Sequence, residues 1–328
     1  MGAFEVYVTR AIAPQAMDAL RAFCQVRVNP EDRQLSRAEL LEAVKGCNGL
    51  LCMLSEKIDG EVMDAAGPGL KVIANYAVGF NNIDLEEASR RGIAVVNTPG
   101  VLTDATAEVA WALLFAAARR VPEGERLMRA GQFSGWAPML LLGQQVTGAT
   151  LGVVGAGRIG TAFARMSRGF NMKVLYTHPR VNEALESELG ARRVELDELL
   201  AQSDFVSLHV PLTDKTRHMI GSREFGLMKP NAVLVNTARG PVVDEKALVQ
   251  ALKEGRIAAA GLDVFEEEPA YEPELGQMDQ AVILPHVGSA TGKTRLAMGM
   301  MLADNIRAVA EGRRPDICVN QQIYGEGR

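Results

Sequence analysis

Leu151-Gly152-Val153-Val154-Gly155-Ala156-Gly157-Arg158-Ile159-Gly160 sets a short apolar run directly against a G-x-G-x-x-G spacing. The apolar run reads as a buried parallel strand, and the residues after it open a helical stretch reaching about Gly169. A second apolar run, residues 173–177, completes a strand–helix–strand unit. In that context each glycine has a physical task. Gly155 makes the tight turn, Gly157 lets the backbone approach a pyrophosphate, and Gly160 lets the helix pack on the strand. Free N–H groups at the helix start then receive the phosphates. Gly155, Ala156, Gly157, Arg158, Ile159 and Gly160 are therefore candidate dinucleotide-binding residues.

The second strand bears on which dinucleotide. An NAD-preferring site usually ends that strand with Asp or Glu, whose carboxylate takes the ribose hydroxyls. Between Arg158 and Asn182 no acidic residue occurs, and the expected place holds His178, then Pro179 and Arg180. A carboxylate would repel a 2′-phosphate, whereas the planar fork of Arg180 pairs with it. The expectation is NADP(H) in preference to NAD(H), with His178 and Arg180 at the phosphate.

Outward from this unit the alternation continues. Residues 4–9, 25–28, 49–54 and 72–75 have strand patterns, and residues 14–23 and 36–44 have helical spacing, the latter with Ser36 as N-cap. A long Ala- and Leu-rich helical pattern runs from about 104 to 120, and residues 131–143, with Trp136 and Pro138, read as a loop. Two strand–helix series imply an α/β chain of two doubly wound parallel-sheet domains. Its 328 residues are enough for both, and 48% hydrophobic with 23% charged residues is a globular balance. The longest apolar run, residues 109–118, is too short to span a bilayer, and no signal peptide is visible, so a cytoplasmic protein is expected. A net charge of −5 gives no support for nucleic acid or an anionic membrane as partner. Cys24, Cys47, Cys52 and Cys318 form no C-x-x-C pair, so reduced thiols and no metal are expected.

Four histidines are available as a proton donor near neutral pH: His178, His209, His218 and His286. His178 belongs to the dinucleotide strand. His209 runs into Pro211 and suits a loop-shaping role, and His218, among Lys215, Thr216 and Arg217, is expected to face solvent. His286 follows the apolar run 281–284, at a strand end, where open α/β sheets place ligands. Elimination leaves it the best of the four. Residues 233–240 form another apolar strand that ends in a lone Arg239 beside Gly240, and an Arg there can hold a carboxylate bidentately. Of the acidic triplet Glu266-Glu267-Glu268, composition selects none.

Several stretches together, in order along residues 50–310, resemble one family. They are Ala77–Asp84 (A-V-G-F-N-N-I-D), residues 97–108 (N-T-P-G-V-L-T-D-A-T-A-E), the glycine loop, residues 204–211, N-T-A-R-G at 236–240, D-V-F-E-E-E-P at 263–269 and P-H-V-G-S-A at 285–290. The chain resembles the D-isomer-specific 2-hydroxyacid dehydrogenases, and within them the glyoxylate/hydroxypyruvate reductases. The resemblance implies Arg239 as substrate-binding residue, Glu268 as partner of the acid/base His286, and the amides of Val78 and Gly79 as receptors of the substrate carboxylate. It implies Thr103, Pro211, Thr216, Thr237, Ala238, Asp263 and Gly288 along the cofactor, and Trp136 reaching a neighbouring subunit's site in a homodimer. A tryptophan anchoring its loop to the core is the alternative at that position. The implied fold is a Rossmann-type cofactor domain, 99–286, inserted in a flavodoxin-like substrate domain, 1–98 plus 287–328, with a C-terminal helix at 294–311.

The implied reaction is hydride transfer from NAD(P)H to a small 2-keto acid while protonated His286 donates to the carbonyl oxygen, giving the D-2-hydroxy acid. Glu268 would orient the imidazole and favour its charged form, Arg239 would align the substrate, and hinge closure of the two domains would exclude water. Glyoxylate and hydroxypyruvate head the substrates. 2-Ketogluconate, pyruvate and phosphohydroxypyruvate stay open, the last disfavoured because no regulatory domain follows residue 328. Formate is disfavoured by Glu268. A dinucleotide-sensing corepressor-like protein is the reading from another class.

Overall fold

The computed structural model describes residues 4–325. Contacts divide them into two compact units, one made of residues up to 102 with those from 289 onward, the other of residues 103–288.

In the first unit the chain alternates β1 (Glu5–Val8), α1 (Pro14–Arg21), β2 (Gln25–Val28), α2 (Arg37–Ala43), β3 (Gly49–Cys52), α3 (Gly60–Ala66), β4 (Val72–Asn75), α4 (Leu85–Arg90) and β5 (Ala94–Val96). Local chemistry sets the helix starts. Pro14 opens α1, Ser36 and Glu39 close a capping box on α2, and Asp59 and Asp84 cap α3 and α4. The sheet is parallel in the order β2-β1-β3-β4-β5, the flavodoxin-like arrangement. Successive strand residues point to opposite faces, so Leu50, Ile73 and Val95 enter one apolar layer and Leu51, Val72 and Val96 the other. The second layer is closed from far along the chain by the long helix at Gly292–Ala310, through Leu302, Ala303 and Ile306.

The second unit opens with α5 (Thr103–Ala118) and α6 (Val121–Arg129). The helix expected from about 104 to 120 is α5, and α6 follows it as a second helix that the pattern did not give. Pro122 cannot continue the first helix, and Arg120, at φ 52°, turns the chain through the left-handed region into the second. Then come β6 (Thr150–Val154), α7 (Arg158–Met166), β7 (Lys173–Thr177), α8 (Glu183–Leu189), β8 (Arg192–Arg193), α9 (Leu196–Gln202), β9 (Phe205–Leu208), α10 (Ser222–Leu227), β10 (Val233–Asn236), α11 (Glu245–Lys253), β11 (Ala259–Leu262) and β12 (Ala281–Ile283); the C-terminal helix of the first unit is α12. The parallel order β12-β11-β10-β9-β6-β7-β8 reverses direction between β6 and β9, the switch point at which doubly wound sheets hold dinucleotides. The fold is α/β with two doubly wound parallel sheets. Among the described residues no helix is long and apolar enough to cross a membrane.

Phe163 of α7 joins helix to helix and helix to sheet. Its ring lies 4.9 Å from the Trp111 ring of α5 and 4.9 Å from His209, and none of it is exposed. Phe163→Ala should destabilise the second unit by about 3–5 kcal/mol, the usual cost of such a cavity. Urea unfolding followed by circular dichroism measures it.

Candidate active site

The glycine loop shows why each small residue is needed. Gly155 lies at φ 98°, and a Cβ there would fall 2.8 Å from the His209 backbone. A Cβ on Gly160 would meet the Gly155 carbonyl at 2.0 Å. Nothing lies within 4 Å of the position a Gly157 Cβ would take, so that face of the loop is open. Gly157 caps α7 without a side-chain bond, leaving the first amides of the helix aimed into this space. The loop is tied down by Asn182, whose amide donates to the Ala156 carbonyl at 3.0 Å and to Thr161 Oγ1 at 2.8 Å. Sequence reasoning passed over Asn182 because its partners are more than twenty residues away.

Past the tip of β7, Arg193 Nε donates to the His178 carbonyl at 2.8 Å and Nη2 to that of Pro179 at 3.3 Å. His178 is pushed below its ordinary pKa by burial, then by the positive charges of Arg180 and Arg193. Arg180 itself is exposed. The turn is thus a cationic surface with no carboxylate in it. Farther along, Thr216 is buried and bonds the Pro211 carbonyl at 2.6 Å, shaping the loop after β9. Thr237 Oγ1, at the end of β10, is buried with no hydrogen-bond partner among the described residues. An open phosphate cradle and an orphaned hydroxyl on the same sheet edge fit a dinucleotide.

Glu268 and His286 meet, with Nδ1 2.8 Å from Glu268 Oε2 and the side chains 24% (His286) and 28% (Glu268) exposed. The other carboxylate oxygen, Oε1, accepts the Phe265 amide at 3.1 Å. Burial raises the Glu268 pKa, but the His286 bond and charge, the Phe265 amide and the Arg239 charge outweigh it and hold the carboxyl below its usual range. Arg239 is half-buried; burial lowers its pKa and the charge of Glu268 opposes that. Gly240 explains how the two motifs come so close. A Cβ there would fall 1.8 Å from the Phe265 carbonyl carbon, so only glycine lets the two backbones touch.

His286 sits at φ 53°, a left-handed conformation that costs a non-glycine residue about 1–2 kcal/mol. Asp263 supplies the compensation. Its carboxylate accepts the amides of Val287 at 2.7 Å and Gly288 at 2.8 Å, and bonds of this charged kind contribute roughly 1.5–3 kcal/mol each. The clamp outweighs the strain and fixes the imidazole.

The remaining histidines are accounted for. Burial pushes the His209 pKa down to about 3, so its ring is neutral and cannot supply a proton near neutral pH; Nε2 lies 2.9 Å from Ser207 Oγ. His218 is exposed, as its neighbours suggested, and it also has a partner. Its Nε2 lies 2.8 Å from Glu266 Oε2, a pairing across 48 residues that no local pattern signals. The acidic triplet is thereby divided between two histidines.

In the first unit, residues 77–79 form a loop whose carbonyls are all taken. The Thr98 amide donates to Ala77 at 3.0 Å, Asn97 Nδ2 to Val78 at 2.7 Å and Asn75 Nδ2 to Gly79 at 2.7 Å. The amides of Val78 and Gly79 donate to no protein group among the described residues.

A family model described as D-isomer specific 2-hydroxyacid dehydrogenase, NAD binding domain, matches residues 111–288. The chain belongs to the D-isomer specific 2-hydroxyacid dehydrogenase family. This dehydrogenase is 51% identical over 323 residues to a glyoxylate reductase of Thermococcus gammatolerans, covering 97% of this chain and 96% of that one. Its structure is similar to a glyoxylate reductase from Paecilomyes thermophila, at TM-score 0.87 and 35% identity over 98% of this chain and all of that one. It is also similar to an NADPH-dependent glyoxylate/hydroxypyruvate reductase from Sinorhizobium meliloti in complex with NADP and malonate, at TM-score 0.84 and 32% identity over 97% of each chain. The enzyme is a nicotinamide-dependent oxidoreductase of small 2-keto acids.

Along residues 121–142 the dehydrogenase leaves several large apolar side chains exposed. Trp136 is 84% exposed, so it does not anchor its loop to the core, and Val121, Met128, Phe133, Met139 and Leu142 are exposed with it. No residue of α6 is buried.

Proposed function

We propose that the enzyme reduces glyoxylate, hydroxypyruvate or both to the D-2-hydroxy acid, with His286 as proton donor, Glu268 as its partner and Arg239 as the substrate's cationic clamp. The 2.8 Å contact between His286 and Glu268 beside an arginine carries this reading. Bound NAD(P)H supplies the hydride. His286 donates a proton from Nε2, because Nδ1 is committed to Glu268. An ionised Glu268 stabilises the charged imidazole and fixes which nitrogen is presented. Arg239 binds the substrate carboxylate and draws electron density toward the carbonyl oxygen. The sequence relatives named for glyoxylate reduction, similar over nearly the whole chain, support this substrate class. His286→Ala should lower turnover about 10²–10⁴-fold with little change in KM for NADPH. Glu268→Gln should move the alkaline limb of the kcat/KM profile for reduction to lower pH, since a neutral partner no longer holds the proton on the donor. Steady-state assays with glyoxylate and hydroxypyruvate read both, and wild-type turnover in His286→Ala removes the proposal.

We assign the cofactor preference to NADP(H). The support is the positive charge of Arg180 and Arg193 beside His178 and the missing carboxylate after β7. Arg180 pairs with the 2′-phosphate, and residues 155–160 take the pyrophosphate. Thr103, Pro211, Thr216, Thr237, Ala238, Asp263 and Gly288 line the rest of the cofactor's path. Arg180→Glu should raise KM for NADPH at least tenfold and leave that for NADH nearly unchanged. A wild-type enzyme that prefers NADH refutes the assignment.

We also propose a homodimer that covers the exposed apolar side chains near Trp136 in the chain. Large apolar side chains left exposed within a short stretch, residues 121–142, are candidates for burial against a second copy. Light scattering should give twice the chain mass, and Met139→Asp should shift the population toward single chains.

A further inference from the structure

We infer that Glu245 is a positioning residue for the proton-donating pair, holding the segment that carries Glu268. The inference rests on the reading of Glu268 and His286 given above. Glu245 is the first residue of α11, 7% exposed, and touches neither member of the pair by any hydrogen bond of the structure. Its two carboxylate oxygens reach opposite ends of the neighbouring segment. Oε1 accepts the amide of Glu266 at 2.5 Å, and Oε2 accepts the amide of Glu272 at 2.8 Å. Glu268 lies between those two anchors. The Glu245 amide in turn donates to Glu266 Oε1 at 2.9 Å, so the two residues bind each other twice.

Between β11 and the short 3-10 turn at Pro273–Gln277 this segment has no regular secondary structure beyond a single bridge between Glu267 and Ala270. Its geometry therefore depends on side chains. Phe265 packs against Gly240 at one end, and the Glu245 carboxylate closes the ring across both. Nothing cationic pairs with Glu245 among the described residues, and Glu266 and Glu272 add negative charge around it. Burial raises its pKa and the two amides oppose that. The start of α11 adds a favourable helix dipole, but a buried carboxylate in acidic company is poorly placed for stability alone. Its geometric use is to span two amides six residues apart, which a neutral amide side chain cannot do, because one of its ends donates. His218 adds a second hold through Glu266 Oε2, partly exposed and on the outer side.

The test uses the full-length enzyme and two variants. Glu245→Asp keeps charge and helix start but is one methylene too short to reach both amides; Glu245→Gln keeps length but replaces one acceptor by a donor. Both should lower kcat about tenfold with KM for NADPH unchanged, and both should move the alkaline limb of kcat/KM in the direction of Glu268→Gln by a smaller amount. Thermal unfolding identifies a variant that fails to fold, and amide hydrogen exchange at Glu272 in the other then reports the lost anchor directly. Wild-type kcat and an unmoved limb in a folded variant whose Glu272 amide exchanges faster overturn the inference. If His286→Ala keeps its turnover, the underlying reading of the site has failed. If His286→Ala is inactive and Glu245→Asp behaves as wild type, only the role of Glu245 has failed.

Discussion

Every strand pair in the larger sheet is parallel, and that constraint decides where chemistry can occur. Parallel pairing sends the C-terminal ends of all strands to one edge, so the loops that leave them converge however distant they are in sequence. The glycine loop leaves β6, the cationic turn leaves β7, Arg239 follows β10, Glu268 follows β11 and His286 follows β12. The opposite edge carries the N-terminal ends and supplies none of these side chains. A single reversal of connection order, between β6 and β9, opens the crevice into which those loops face.

On that edge, precision comes from buried carboxylates acting on backbone amides. Asp263 holds the turn after His286, accepting the Val287 amide at 2.7 Å and the Gly288 amide at 2.8 Å. Glu245 spans the segment between β11 and β12. Loops have no ladder to fix them, and an ionised acceptor facing two N–H donors is among the strongest substitutes available to a chain. Close backbone contacts at Gly155, Gly160 and Gly240 remove the remaining freedom.

What could be read from the sequence follows from how local each signal is. The strand–helix alternation and the glycine loop are written in consecutive residues, and the structure has both, whereas the order of the strands within each sheet is not written there. The Ser36 cap was legible for the same reason. The Ala- and Leu-rich helix α5 was legible too, whereas α6, charged and with no buried residue, carries no apolar pattern to announce it. The links of His218 to Glu266, Asn182 to the glycine loop and Glu245 to residues 266 and 272 join positions 21 to 48 residues apart, and no periodicity encodes them. Composition gave no means of choosing Glu268 within its triplet; the choice depends on which carboxylate the fold turns toward an imidazole.

The return of α12 to the first sheet has a consequence for biosynthesis. A ribosome delivers residues 103–288 as one uninterrupted stretch, so the inserted unit can complete its core while the outer one still lacks Leu302, Ala303 and Ile306. One face of the five-stranded sheet stays open to water until α12 emerges. The nascent chain thus acquires its dinucleotide-binding unit first, and the outer unit is finished only once residues 292–310 have been made.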